Sequence, residues 1–239
     1  MDIRTLLISL MTLVVLGIVL LVIFEFTRGT GVAGAYGIGP YKTSVTLIDQ
    51  LQDGRQFGEI DNTIPLSHNE TEGLEYTYTA WILVNDYAPS TANPIIFVKG
   101  NVDLTQKSPA VYLQTGKNEI VIEQDTYDKK GLKIVVTNAP ANKFIHLAIV
   151  VNQTSFDVYV NGLIYHHSTL RALPLQNTSP VFVSANGGWN GQIGSFVYYN
   201  YALSSSDIQG LASKKPVENP AAMPYYSHYL SPGWWVGSA

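Results

Sequence analysis

The sequence predicts an all-β protein in which two antiparallel sheets pack face to face and one short helix follows them. Three observations support this class. Short apolar runs recur between residues 45 and 199, and turn residues end each run. The composition, with 15 Tyr, 20 Gly and 12 Pro, suits strands and turns better than helices. Asn161-Gly162 is a favoured pair for a two-residue hairpin turn.

An apolar segment, Thr5–Phe24, precedes these strands, and we expect it to cross a membrane as a retained helical anchor. It carries no charge over 20 residues, and a helix of that length spans about 30 Å, the thickness of the bilayer's hydrocarbon core. The alternative is a cleaved signal peptide, because residues 31–35 read GVAGA. The length of the run and the charges at Glu25 and Arg28 favour the anchor. Positive charges flank both of its ends, so the orientation stays open.

The predicted organisation has four parts: the anchor (1–28), a Gly-rich spacer (29–44), the sandwich (45–215) and a Pro/aromatic tail (216–239). The helix is expected at 204–214, with its N-cap among Ser204–Ser206 and Asp207 in its first turn. The predicted strands are 45–49, 74–84, 95–99, 110–114, 118–124, 132–137, 144–152, 155–160, 163–168, 181–184 and 192–199.

Charge and cysteine content exclude several classes of function. The net charge is -4 and the pI is about 5.7, so the chain lacks the basic character of a nucleic-acid binder. There are no cysteines, which excludes disulfides and cysteine-based metal sites. We therefore expect partners other than nucleic acid.

The segment FDVYVNGLIYHH, residues 156–167, predicts a hairpin that turns at Asn161-Gly162. A regular hairpin would pair Asp157 with His166 as a cross-strand polar pair. His166 and His167 would then point to opposite faces of the sheet, because adjacent side chains alternate along a strand. They cannot share one metal ion, and no metal site is expected here.

Two longer segments resemble the laminin G-like, concanavalin A-like lectin superfamily: FIHLAIVVNQTSFDVYVNGLIYHHS (144–168) and WNGQIGSFVYYNYALSSSDIQGLA (189–212). YTYTAWILV (76–84) is similar to the family's early strand with a buried Trp81, and Phe144 stands where Trp is commoner. The resemblance spans about 70–213 and implies a jelly-roll sandwich of two curved antiparallel sheets. It implies little about function, because the fold carries lectins, adhesion modules, hydrolases and structural proteins.

The glycoside hydrolases that share this fold use Glu-x-Asp-x-(x)-Glu along one strand, with two carboxylates facing one cleft. Glu59 and Asp61 supply the beginning of that motif, but its third carboxylate is missing. Glu119, Glu123 and Asp125 would share one face of a strand, and their spacing differs from the motif. We expect a protein that is not an enzyme.

Calcium and sugar are the remaining ligand classes that the resemblance suggests. Asp86, Asp103 and Asp125–Asp128 lie in predicted loops without forming a compact cluster, so ordinary turn aspartates are expected and calcium lacks support. No cofactor is predicted.

For a sugar, SANGGWNG (184–191) offers Asn186, Trp189 and Asn190 in a Gly-rich loop. The aromatic ring would stack on the sugar and the amides would bind hydroxyls. The alternative, which we favour, is that Trp189 is structural and packs under the hairpin.

The tail is too rich in aromatic residues for a free polar extension, and we expect it to contact a protein or membrane surface. Cysteine-free laminin G-like domains behind one N-terminal anchor are similar to proteins of large icosahedral DNA viruses. This implies a non-enzymatic virion component, such as a minor capsid protein that links an internal membrane to the shell. The alternative is a surface lectin or adhesion protein that binds glycans. The aromatic tail residues are Tyr225, Tyr226, Tyr229, Trp234 and Trp235.

Overall fold

A computed structural model describes residues 2, 4, 11–13, 15–21, 42–60, 64–70, 73–88, 92–129, 131–214 and 216. The chain divides into two units, Met1–Lys42 and Thr43–Ala239. In the first unit, residues 11–13 and 15–21 are helical. Among the described residues, none of the helices combines the length and apolar character needed to cross a bilayer.

Three predicted regions fall partly or largely outside the described residues. Half of the Thr5–Phe24 anchor and nearly all of the 29–44 spacer are outside. The tail is outside from residue 217 onward, and with it the five aromatic residues named above. The roles predicted for these regions stay predictions.

The second unit contains fourteen strands and one helix within its described residues, and these elements confirm the predicted all-β class. The strands are β1 (Ser44–Ile48), β2 (Gln52–Asp53), β3 (Gly58–Ile60), β4 (His68–Glu70), β5 (Gly73–Val84), β6 (Ile95–Gly100), β7 (Lys107–Leu113), β8 (Ile120–Gln124), β9 (Leu132–Val136), β10 (Phe144–Asn152), β11 (Ser155–Val160), β12 (Leu163–Thr169), β13 (Val181–Ala185) and β14 (Gly191–Tyr199). The helix is α1 (Ser205–Ala212).

The strands form two antiparallel sheets. The eight-stranded sheet has the order β1-β14-β5-β10-β11-β12, with β2 paired to β14 and β4 to β5. The six-stranded sheet has the order β3-β13-β6-β7-β8-β9. Because neighbours in these sheets are distant in sequence, as β14 and β5 are, the loops at the strand ends come from several parts of the chain.

The core lies between the two sheets and follows from the two-residue alternation of each strand. In β5, Tyr76, Tyr78 and Ile82 are nearly fully buried and belong to one apolar cluster with Phe97 of β6 and Phe196 of β14. The ring centroids of Phe97 and Phe196 are 4.6 Å apart. This cluster joins strands of both sheets and so holds the layers together.

The hairpin turn is confirmed, but its predicted register is wrong beyond the first two pairs. Asn161 and Gly162 both adopt positive φ, at 52° and 81°, as a type I′ turn requires. A β-bulge then shifts the pairing, so that Val158 faces His166 and Asp157 faces His167. The bulge re-aims Tyr165, whose hydroxyl accepts a hydrogen bond from the backbone N–H of Thr137 at 3.0 Å.

The predicted helix is confirmed and packs on the outer face of the eight-stranded sheet. Ser204 is its N-cap, and its side chain exchanges hydrogen bonds with Asp207 in a capping box. Ile208 is buried in a small cluster with Ala148 of β10 and Tyr159 of β11. This cluster fixes the helix beside the hairpin.

The resemblance implied a buried Trp81, and the structure differs from this expectation. Trp81 is only partly buried, and its ring lies 5.2 Å from His146 and 6.4 Å from Phe144, edge to face. The reason is strand alternation: Ala80 and Ile82 of β5 belong to the core between the sheets, so Trp81 faces outward.

Candidate binding surfaces

The residues predicted to bind sugar lie at one end of the sandwich, in the loop between β13 and β14. This loop (186–190) borders loops 85–88 and 113–115, and we call the three together the loop site. They surround a cavity of about 150 Å³. Trp189 and Asn190 line the cavity, whereas Asn186 holds a φ of 54° in the turn that leads to it.

Trp189 forms the base of the loop site, with only 4% of its surface exposed. Its indole N–H donates to the carbonyl oxygen of Leu83 at 2.9 Å. Gly54 and Gly191 press against the ring so closely that a Cβ would come within 2.6 Å and 2.7 Å of its atoms. The ring is therefore a packing element, as the structural interpretation of Trp189 predicts. That interpretation placed the ring under the hairpin, whereas its neighbours are the turn at Gly54 and strand β5. A sugar-binding role for Asn186, Trp189 and Asn190 stays a prediction.

Asn190 joins two loops through its side chain. Its Nδ2 donates to a carboxylate oxygen of Asp86 at 2.6 Å, and its Oδ1 accepts from Asn85 at 3.1 Å. The hydrogen bond from Asn190 lowers the pKa of Asp86, and the backbone N–H of Ala88 adds to the effect. The loop site therefore presents an ionised carboxylate and two amides, which are groups that bind hydroxyl-rich ligands.

Tyr87 also lines this cavity and supplies an unused polar atom. Its hydroxyl is buried and makes no hydrogen bond within the described part of the chain. Burial raises the pKa of Tyr87 to about 12, so the hydroxyl stays protonated and can donate. A ligand acceptor in the cavity would satisfy it.

Of the acids considered for a glycosidase, Asp61 lies outside the described residues, and Glu123 is engaged in other contacts. Glu123 accepts from the Tyr112 hydroxyl at 2.7 Å and forms ion pairs with Lys133 at 3.2 Å and Lys107 at 3.5 Å. Although burial opposes ionisation, these partners lower the pKa of Glu123. A carboxylate that its partners hold in the ionised form has no proton to donate, so it is poorly suited to act as a general acid.

The loop aspartates hold backbone groups. Asp103 accepts from the backbone and the hydroxyl of Thr105, and Asp125 accepts from the backbone N–H of Lys107 at 2.8 Å. No group of three metal-ligating side chains occurs among the described residues. The contacts of Asp103 are those of a turn aspartate, whereas Asp125 joins the end of β8 to the start of β7.

The second candidate surface is β12, the last strand of the eight-stranded sheet, which we call the hairpin edge. Leu163, Ile164 and Tyr165 are 68%, 56% and 42% exposed. No strand among the described residues forms hydrogen bonds with the outer side of the β12 backbone. An exposed apolar edge strand is a template for pairing with another chain.

The two histidines extend the hairpin edge with polar groups. His167 Nδ1 lies 2.5 Å from Asp157 Oδ1, and His166 Nε2 lies 2.7 Å from the Ser168 hydroxyl. The predicted pair of Asp157 with His166 is therefore wrong, because the bulge moves His167 opposite Asp157. Each histidine has its own partner, and the two do not form a common site.

These features define a two-sheet, lectin-like β-sandwich with loops and an edge available for binding. A profile of the concanavalin A-like lectin/glucanases superfamily matches residues 57–209, which is more than half of the chain. The chain belongs to this superfamily, and the resemblance inferred from its motifs is confirmed. No curated protein sequence is significantly similar to it.

Solved structures that are similar to this chain include binding domains of bacterial toxins. The receptor binding domain of botulinum neurotoxin D has a TM-score of 0.51 and 14% identity, covering 74% of this chain and 48% of that one. The binding domain of Paraclostridial Mosquitocidal Protein 1 has a TM-score of 0.49 and 19% identity, covering 74% and 48%. The chain thus spans about half the length of these domains. At such identity the likeness shows the fold alone.

Sequence reasoning missed several residues of these surfaces. It did not predict that Asn85, Asp86 and Tyr87 lie next to Asn190, because their loops meet only when β5 and β14 pair. It also did not mark Leu163–Tyr165 as exposed, because an edge strand and a covered strand share the same alternation. The remaining signal in the sequence was the absence of Lys and Pro from β12, two residues that commonly protect edges.

Proposed function

We propose that the chain is a non-enzymatic binding protein that a membrane anchor holds at a bilayer and that pairs with a protein partner through the hairpin edge. The observation that carries this proposal is the exposure of Leu163, Ile164 and Tyr165 on a strand whose outer side is unpaired within the described residues. The expected occupant is an extended strand of the partner, because only a strand satisfies a row of backbone groups.

The engagement of Glu123 in ion pairs supports the non-enzymatic part of the proposal. The apolar Thr5–Phe24 segment supports the anchor. At a finer level we propose a structural role in a virion, as a minor capsid protein that links a membrane to the shell. The aromatic tail, Tyr225 to Trp235, would add a second contact to that partner.

Site-specific photo-crosslinking tests this function. A photoreactive residue replaces Ile164 of the full chain in the cells or particles that carry the protein, and a matched residue replaces Tyr127. Both positions are well exposed, at 56% and 65%. We expect one protein adduct from position 164 and none from 127. A second sample with Leu163→Lys should lose the adduct, because a charge on an edge opposes pairing. Equal adducts at both positions, or none, would contradict the proposal.

A second candidate function is carbohydrate binding at the loop site. The network of Asp86, Asn85 and Asn190, together with the free hydroxyl of Tyr87, favours it. A glycan array tests it with Gln114→Ala, since Gln114 lines the cavity and its hydrogen bonds among the described residues use backbone atoms. Selective loss of glycan binding would support this function, and unchanged binding would contradict it. Trp189→Ala is a poor test because Trp189 is buried.

A further inference from the structure

A second cavity opens between the two sheets and shares no lining residue with the loop site. Its volume is about 260 Å³. Leu66 and Thr178 are exposed at its rim, whereas Tyr78 and Tyr198 in its wall are almost fully buried. We call it the inter-sheet cavity. Its size suits a small organic molecule.

Lys99 brings a positive charge into the wall of this cavity. It follows Val98, which packs on the outer side of β6, so its own side chain lies on the inner side and is only 6% exposed. Its ammonium group donates to the carbonyl oxygen of Ser179. Among the described residues, the ion pairs with a nitrogen–oxygen distance of 4.0 Å or less are formed by cations other than Lys99. Burial lowers the pKa of Lys99, as expected for an ammonium that has lost water without gaining an anion.

Two tyrosines that line the same cavity as Lys99 carry further hydroxyl donors. Tyr78 and Tyr198 both line the cavity, and their ring centroids are 4.9 Å apart. The hydroxyl of Tyr76 donates to Gln124 at 2.7 Å. Burial raises the pKa of both Tyr78 and Tyr198, so both hydroxyls keep their protons. The cavity is thus lined by one buried cation and two protonated tyrosines.

We propose that the inter-sheet cavity binds a small organic carboxylate with a ring-shaped body. The carboxylate would accept hydrogen bonds from Lys99, Tyr78 and Tyr198, which gives the buried ammonium the negative partner it lacks. The tyrosine rings and the apolar Ile64 and Pro65 would pack against the body of the ligand. These apolar walls favour an organic acid over inorganic phosphate. The proposal is independent of the hairpin edge and of the loop site.

Calorimetric titration of the full chain in detergent at neutral pH tests the ligand class. The probes are benzoate, its neutral counterpart benzamide, and inorganic phosphate. We expect benzoate to bind at least about tenfold more tightly than either, since a hydrogen bond to a charged group is worth more than a neutral one. Binding of benzoate no tighter than that of benzamide or phosphate, or no binding of benzoate, would overturn the proposal.

Variants test the residues. Lys99→Met should weaken benzoate binding at least about tenfold and leave the melting temperature equal or higher, because it removes a buried charge without an anionic partner. Tyr198→Phe keeps the ring and should weaken binding severalfold by removing one donor. Lys143→Met, at an exposed lysine, is the control and should bind as the unchanged chain does. If Lys99→Met and Lys143→Met bind benzoate equally, the proposal is wrong.

Discussion

His146 is a buried histidine on the outer face of the eight-stranded sheet, beside Trp81. It is 2% exposed, and its Nδ1 has no hydrogen-bond partner in the described part of the chain. Its backbone is held by Asn161, whose Oδ1 accepts from the N–H of His146 at 2.9 Å. Burial lowers the pKa of His146 from 6.5 to about 4, so the side chain is neutral near pH 7. Protonation therefore opposes folding.

The free energy of unfolding should depend on pH through this residue. The pKa of His146 is lower in the folded chain than in the unfolded chain. Its contribution to the free energy of unfolding is therefore complete above about pH 6.5, falls as the pH decreases, and is lost below about pH 4. The full loss corresponds to about 3 kcal/mol at about 1.4 kcal/mol per pH unit. Denaturant unfolding across this range should show a flatter pH dependence for His146→Leu. The exposed His166→Leu should retain the original slope, and equal slopes for both would contradict the account.

Gly191 is required by the packing of Trp189. A Cβ at Gly191 would lie 1.9 Å from the carbonyl oxygen of Leu83 and 2.7 Å from the Trp189 ring, whereas a Cβ at Gly58 meets nothing within 4 Å. Gly191→Ala should lower the free energy of unfolding by about 1–3 kcal/mol or more, and Gly58→Ala should change it little. Chemical denaturation measures both. Similar small effects from the two variants would show that the ring is not tightly held.

At the scale of elements, the sequence predicted the strands that carry a long periodic pattern and missed the strands that are too short to show one. β5 and β10 carry enough alternating residues to be recognised, and their ends were placed within a residue. β2, β3 and β4 have two or three residues each, too few for a period to appear. The bulge beside Val158 was not foreseen either, because it accompanies a contact of Tyr165 with Thr137, a residue distant in sequence that follows β9 of the other sheet.

The start of α1 depends on a local signal that the sequence does contain. The side chain of Ser204 accepts from the N–H of Asp207 at 3.2 Å, and Asp207 returns a bond to the N–H of Ser204. Ser204→Ala should therefore lower the free energy of unfolding by about 1 kcal/mol. Gln209→Ala, at an exposed position of the same helix, should have little effect or stabilise slightly. Thermal unfolding would contradict this if both variants melted alike.

The candidate binding sites could also be predicted only in part from the sequence. Trp189 and Asn190 could be identified from a Gly-rich loop, but their burial and their partners arise from contacts with residues 54 and 83–86. Lys99 carried no signal, because a lysine at the end of an apolar run looks like an ordinary strand end. Its inward direction is decided by the packing of β6 between β13 and β7.

At the scale of the whole molecule, the proposed anchor sets where the sandwich can act. If Thr5–Phe24 is retained in a bilayer, the mature chain should stay with membranes after alkaline carbonate washing, and its intact mass should include this segment. Leu16→Arg combined with Val19→Arg should release it, because each charge costs about 2.5–3.5 kcal/mol near the helix centre. A mature mass that begins after residue 35 would favour the signal-peptide alternative instead.

The central claim is that the sandwich binds a protein strand at the hairpin edge. Amide hydrogen exchange of β12 tests it most directly, measured on the purified chain and again on the chain within its native assembly. We expect the outward amides of Leu163–Thr169 to exchange at least about tenfold more slowly in the assembly, because pairing protects them. Slow exchange only in the assembly would support the claim. The same rapid exchange of these amides in both samples would contradict it.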